Sequence, residues 1–209
     1  MIKRACSKEQ IELRKKEIIS VVKQMFMTMD YQDISMKTIS EKISIARSSL
    51  YCYYNNKEEI MLDLLKNDYI DWLNEIINTF SNDKLTIEEL TNNLTNIYLS
   101  NTNLLKIISI YLTDIEIHAS IKKLIDFKSC FVDLLPKLKE TIKYYFKDIS
   151  NENIDNLHNS ILMLAHSLYP MINPNDNQKE AMKKTGMEIC SNPYQFTYNY
   201  ILFILKACL

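Results

Sequence analysis

The chain has 209 residues, 47% hydrophobic and 24% charged, a balance that suits a soluble globular protein with a substantial core. Its single glycine, Gly186, excludes the G-x-G-x-x-G dinucleotide loop and the G-x-x-x-x-G-K-S/T phosphate loop, which need at least two, and with no Asn-Gly or Asp-Gly turn an all-β fold is not expected. The formal net charge of −1 hides an asymmetry: residues 1–57 hold eleven Lys and Arg against six Asp and Glu, the remainder fourteen against twenty, so a basic end that can meet a polyanion precedes an acidic body. Cys6, Cys52, Cys130, Cys190 and Cys208 are scattered and never in C-x-x-C spacing, which points to reduced thiols in a cytoplasmic protein and to no zinc site. The polar stretch 1–16 lacks the apolar core of a signal peptide, and no run approaches the ~18 apolar residues of a membrane span. No membrane partner is expected.

In chain order, Ser7 and Gln10 have capping-box spacing, and Ile11, Ile18, Val22, Phe26 and Met29 follow as one helical stripe. The interval Asp30–Ser35 breaks it. A short second helix is expected with Ser35 as N-cap and Ile39 and Ile43 facing inward. Ser44-Ile45-Ala46 separates it from a third segment, Arg47–Tyr54. Asn56 and Glu59 open a long helix to about Phe80, its Glu58 and Glu59 suited to the positive helix N-terminus; Ile60, Leu64, Leu65, Leu73, Ile76, Ile77 and Phe80 form its stripe. Further helices are expected over about 86–100, 103–117, 120–147, 151–172 and 193–207, with 179–191 open between helix and loop. The fold class is therefore all-α: an N-terminal three-helix head over 1–56 and a helical body over 57–209.

Two short helices joined by a three-residue turn, the second rich in aromatics, form a helix-turn-helix pattern. Ile39, Ile43, Ile45 and Leu50 would lock the pair and leave Arg47, Ser48, Ser49, Tyr51 and Tyr53 at the surface. Arginine forks onto guanine or phosphate, and serine and tyrosine hydroxyls reach bases or phosphate oxygens. The period alone also fits a plain helical hairpin with Tyr51, Tyr53 and Tyr54 in a core. Residues 31–60 resemble the signature of TetR-family transcriptional regulators: Ser35, Ile39, Ile45, Leu50-Tyr51, Tyr53-Tyr54 and Lys57-Glu58-Glu59-Ile60 fall in register without a gap. Two departures stand out. Asp30 takes the place of a glycine that would favour left-handed backbone, and Ser44-Ile45-Ala46 replaces Gly-Val-Ser, so Ala46 cannot cap the recognition helix with its side chain.

The resemblance places DNA contacts on Ser35 and Lys37, on Arg47, Ser48, Ser49, Tyr51 and Tyr53, and on Lys57, whose ammonium beside a helix N-terminus suits a phosphate. Lys3, Arg4 and Lys8 are either a minor-groove arm or a solubilising tail. The resemblance also implies that the body binds a small effector and dimerises. Its last helix is apolar nearly all round, so Phe196, Tyr198, Ile201, Leu202 and Leu205 are expected at a four-helix interface shared with the 151–172 helix and a second copy; the alternative is burial within one chain. Effector-pocket candidates from the first half of the body are Tyr69, Trp72, Tyr98 and Tyr111. The second half adds Phe127, Phe131, Met163, His166 and Tyr169; plain core is the alternative for each. His118, His158 and His166 lack paired ligand spacing, and no catalytic constellation is legible, so neither metal, cofactor nor enzyme activity is expected. The expectation is a homodimeric regulator of a two-fold symmetric operator in double-stranded DNA, a repressor released by a small, largely apolar ligand. The alternatives are control by a protein partner without a small effector, or an all-α enzyme or scaffold.

Overall fold

A computed structural model describes residues 8–207; Ser7, Lys3, Arg4, Cys6 and Cys208 lie outside the described residues. The described residues are helical with no strand, and no helix among them is long and apolar enough to cross a membrane. The chain divides into two compact units. One comprises the residues up to Asn67 together with Leu112–Ser129, the other Asp68–Tyr111 with the residues from Cys130 onward.

In the first unit, α1 (Lys8–Thr28) buries Ile18, Val22, Met25 and Phe26. Ile11 is 36% exposed, because the first turns of α1 run past the core, and Met25 rather than Met29 closes the stripe, since the helix has ended by Met29. Asp30 is extended at φ −69°, so no left-handed residue is needed before the short 3₁₀ turn Tyr31–Asp33. The α2 helix (Met36–Ile43) starts at a reciprocal cap: Thr38 N–H donates to Ser35 Oγ at 3.1 Å, and Ser35 N–H donates to Thr38 Oγ1 at 2.9 Å. Ile39 is fully buried with Met36 and Ser40 beside it, while Ile43 is half-buried.

Ser44 ends α2 in the left-handed region, φ 59° and ψ 42°, where an L-residue costs roughly 1–2 kcal/mol and glycine almost nothing. Its N–H donates to Glu41 O, and Ile45 N–H donates to Ser40 O at 3.1 Å, so the turn closes two α2 carbonyls at the expense of that strain. Ser44 is thereby the C-cap of α2. The α3 helix (Arg47–Leu50) starts from Ala46 with no side-chain cap and continues only as tight turns to Tyr54. It is shorter than the segment 47–54 expected from the sequence. Ala46 is extended at φ −62° and ψ 137°, the geometry of an N-cap, so Ala46→Ser should raise stability by about 0.5–1 kcal/mol, measurable as a higher urea midpoint at unchanged m-value.

The α4 helix (Lys57–Phe80) matches the expected span. Asn56 caps it through Oδ1 to Glu59 N–H at 3.0 Å. Leu112–Ser129 contains a π-helical turn with the short α7 (Glu116–His118) and α8 (Ile121–Lys128). Polar groups of the α4 start hold this segment. Asn56 Nδ2 donates to His118 O at 2.7 Å, Ser120 Oγ donates to Glu59, and Lys123 pairs with Asp63, which also accepts from Tyr54 OH at 2.8 Å.

In the second unit, Trp72, Leu73, Ile76, Ile77 and Phe80 of α4 are buried. The α5 helix (Ile87–Ser100) is capped reciprocally by Thr86 and Glu89. After α6 (Thr102–Ser109) the chain returns as α9 (Leu134–Tyr145) and α10 (Asn151–Ile172). The sequence pattern suggested one helix over 120–147; the structure instead breaks it between Lys128 and Leu134. Pro136 fits this start: it lies in the first turn of α9, where its missing N–H leaves no intrahelical hydrogen bond unmade. The stretch left open at 179–191 is settled as α11 (Asp176–Thr185), closed by Gly186 at φ 73°, followed by a loop to α12 (Pro193–Ala207). The α10 helix packs on α6 and α9, and α12 on α5 and α10. Tyr98 OH crosses this core to donate to Ile161 O at 2.6 Å.

Candidate nucleic-acid interface

The α3 helix presents Arg47, Ser48 and Ser49 exposed at the surface, followed by Tyr51 at 44% exposure and a half-buried Tyr53. Of the three tyrosines that a plain hairpin would bury, only Tyr54 is in the core. Arg47 and Tyr51 meet one helical turn apart: Arg47 Nη2 donates to Tyr51 Oη at 3.1 Å, and the guanidinium lies 5.6 Å from the ring centroid. Lys37 is exposed beside Glu41 at 3.9 Å, a pair worth little in water. Ser35 is half-buried and its Oγ is taken by the α2 cap.

Lys57 is placed differently from a free anchor. Its ammonium donates to Tyr31 O at 2.8 Å and lies 3.8 Å from the Tyr31 ring centroid, a cation–π contact. Partial burial lowers its pKa, against the raising effects of Glu58, Asp114 and Asp33. Tyr31 OH in turn donates to Glu58 at 2.9 Å; burial, then that carboxylate, pushes the phenol up. Nothing in the sequence pattern signals that Tyr31 would hold Lys57, 26 residues away.

A buried carboxylate supports this surface. Glu59 is 5% exposed and accepts from Asn55 N–H and Asn55 Nδ2, each at 2.9 Å, as well as from Ser120. Burial pushes its pKa up, but the hydrogen bonds from Ser120 and Asn55, with Lys123 nearby, outweigh that and hold it below its ordinary value. The sequence showed Glu59 only as a capping residue. Its partner Ser120 is too distant in the chain for any pattern to reveal.

In the second unit the structure brings four pocket candidates together. Tyr69 lies 5.6 Å from Trp72 and 5.0 Å from Phe131, and Trp72 meets Tyr98 edge-on at 5.4 Å. Trp72 is fully buried and its Nε1 has no hydrogen-bond partner. Tyr111 stacks on His166 at 6.2 Å, His166 Nδ1 is 2.9 Å from Ile108 O, and Tyr169 is half-buried nearby in sequence on α10. Met163, 68% exposed on the outer face of α10, does not join them; Phe127 is buried and belongs to the first unit. A groove of about 690 Å³, lined by Met171, Met182, Ile189, Cys190 and Phe196 among others, escaped the sequence reading apart from Phe196.

The expected interface residues also divide. Ile201 and Leu205, with Thr197, are the buried stripe of α12 within this chain, because α12 packs along α5. They are unavailable to a second copy. Phe196, Tyr198 and Leu202 are half-buried, and the outward apolar face carries Phe203 at 70% and Tyr200 at 47% exposure. Among the described residues, no three His, Cys, Asp or Glu side chains gather in a way that could hold a metal ion.

A comparison with curated proteins finds no match. Among solved structures, a protein from Mesorhizobium loti assigned to the TetR-family transcriptional regulators is 13% identical. The match has a TM-score of 0.52 and covers 95% of this chain and 96% of that one, a likeness of fold. A HlyIIR mutant protein (16% identity, TM-score 0.44, covering 95% and 97%) and a TetR family transcription regulator from Marinobacter aquaeolei (11%, 0.40, covering 95% and 98%) are also similar. The family model of the tetracyclin repressor-like C-terminal domain matches residues 66–204. With a helix-turn-helix ahead of that matched segment, the chain belongs to the TetR family of transcriptional regulators.

Proposed function

We propose that the protein is a homodimeric repressor of a two-fold symmetric DNA site, released by a small, largely apolar effector. The observation that carries the reading is the exposed array Arg47, Ser48, Ser49 and Tyr51 at a helix-turn-helix, with Lys37 and Lys57 as phosphate anchors. Lys57 need only rotate away from Tyr31 to exchange a carbonyl for a phosphate. Two copies joined through the outer faces of α10 and α12, where Met163, Tyr200 and Phe203 are exposed, would each bring one α3 to a symmetric site whose half-sites lie about 34 Å apart, one turn of DNA. An effector inserted among Tyr69, Trp72, Tyr98 and Phe131 would displace the second half of α4, a continuous helix whose first turn carries Lys57, and so alter the half-site spacing. A differential affinity of a few kcal/mol suffices for release.

Gel shift on the DNA upstream of the coding sequence, titrated with salt, tests this. Binding should fall steeply with salt. Lys57→Ala should weaken all sequences alike and lower the salt slope by about one unit for each phosphate no longer neutralised, about two per dimer; an unchanged slope removes Lys57 from the interface. Control by a protein partner is the second reading. The exposed Ile117, Ile121 and Ile125, at 68%, 78% and 61%, favour it; release from DNA by a cell extract stripped of small molecules would support it over the first.

A further inference from the structure

We propose that Tyr51 is a positioning residue that aims the Arg47 guanidinium at guanine and ties base reading to a phosphate contact. The proposal rests on the DNA-binding reading above. Arg47 opens α3 and Tyr51 follows four residues later, the spacing at which helical side chains meet on one face. The Arg47 Nη2–H to Tyr51 Oη bond of 3.1 Å and the ring at 5.6 Å hold the guanidinium at the hydroxyl end of the phenol.

Arginine has five N–H donors in a planar fork, and guanine presents O6 and N7 as a matching pair of acceptors. One Nη2–H given to Tyr51 leaves a two-donor edge complete, with its plane fixed rather than rotating. The phenol, for its part, uses only a lone pair on Arg47. Its own proton remains for an acceptor, and a phosphate oxygen is the acceptor that DNA supplies there. A hydroxyl that accepts from a cation is polarised into a stronger donor. Phosphate, Tyr51, Arg47 and guanine therefore form one directed chain of hydrogen bonds. Lysine at 47 would keep the charge and lose the fork.

The experiment uses the full-length protein and a duplex it selects from a random 20-base-pair pool, followed by variants of that duplex with each G·C pair changed to A·T. Affinities are measured for wild type, Arg47→Ala, Tyr51→Phe and the double variant; both side chains are at the surface, so the variants should keep the wild-type circular dichroism. Wild type should discriminate about 10–100-fold at one G·C pair in each half-site. Arg47→Ala should abolish that preference. Tyr51→Phe, which retains the ring, should bring the preference to within about threefold of the Arg47→Ala level, and the double variant should discriminate no worse than Arg47→Ala. If Tyr51→Phe weakens every duplex by one factor and keeps the preference, Tyr51 is a phosphate contact alone and the proposal fails. It also fails if Arg47→Ala leaves the preference intact. Selection of no sequence by the wild type would instead overturn the DNA-binding reading on which it stands.

Discussion

Phe203→Glu should yield a soluble, folded monomer that no longer holds its operator. The side chain is 70% exposed in the single chain, so a charge there costs the isolated fold little, yet on the proposed interface it would lie desolvated against a second copy. Two linked half-site contacts exceed one by roughly 10²–10⁴-fold, and operator affinity should fall by that order while single-half-site binding persists. Light scattering should give the mass of one chain. The control is Ile201→Glu, two positions away on the buried stripe at 4% exposure, which places an unpaired charge in the core and should abolish folding. A Phe203→Glu protein that stays dimeric and keeps its operator would move the interface off α12.

Glu59→Ala should destabilise the first unit by about 3 kcal/mol, since it strips the acceptors from Asn55 N–H, Asn55 Nδ2 and Ser120 together and leaves a small void. For a chain of this size that is a drop of roughly 6–12 °C in Tm. Glu59→Gln, which keeps one acceptor, should lose less. Acid provides the second readout. A carboxyl held below its ordinary value of 4.5 in the folded state contributes stability that is whole above about pH 4.5 and is lost as pH falls through the folded value. The wild type should therefore lose more stability between pH 5 and pH 3.5 than Glu59→Gln, which has no proton to take up there. Parallel curves would show that folding does not lower the Glu59 pKa. Trp72 belongs to the other unit, so backbone amide exchange around Ser120 is the suitable probe.

Local signals carried the sequence reading far. The α2 start was legible because Ser35 and its partner Thr38 lie within one turn, and α4 because its stripe repeats over its whole length. The phase of α12 was not. A helix apolar nearly all round offers no polar face to orient it, so Ile201 and Phe203 look alike until α5 covers one of them. The pocket candidates illustrate the same limit: Met163 and Leu164 are neighbours in sequence, and only packing sends the first to solvent and the second inward. The latch that holds the head, Glu59 with Ser120 and Asp63 with Lys123, was invisible for a different reason. Its partners are about sixty residues apart, and hydrophobic periodicity carries no information about which distant polar groups will meet.

That separation bears on how the chain is made. The residues up to Asn67 share a compact unit with Leu112–Ser129, so the earlier of the two segments cannot finish folding until the later one has left the ribosome. Glu59 must wait for Ser120, 61 residues later, which is roughly 3–12 s at translation speeds of about 5–20 residues per second. During that interval Glu59 and the apolar residues of the nascent head lack the segment that contributes Ile115 and Phe127 to the finished unit. A nascent chain stalled with residue 100 at the tunnel exit should remain protease-sensitive in its head, and one stalled with residue 140 there should not. Vectorial synthesis thus delays a working DNA-reading surface until the segment Leu112–Ser129 has emerged.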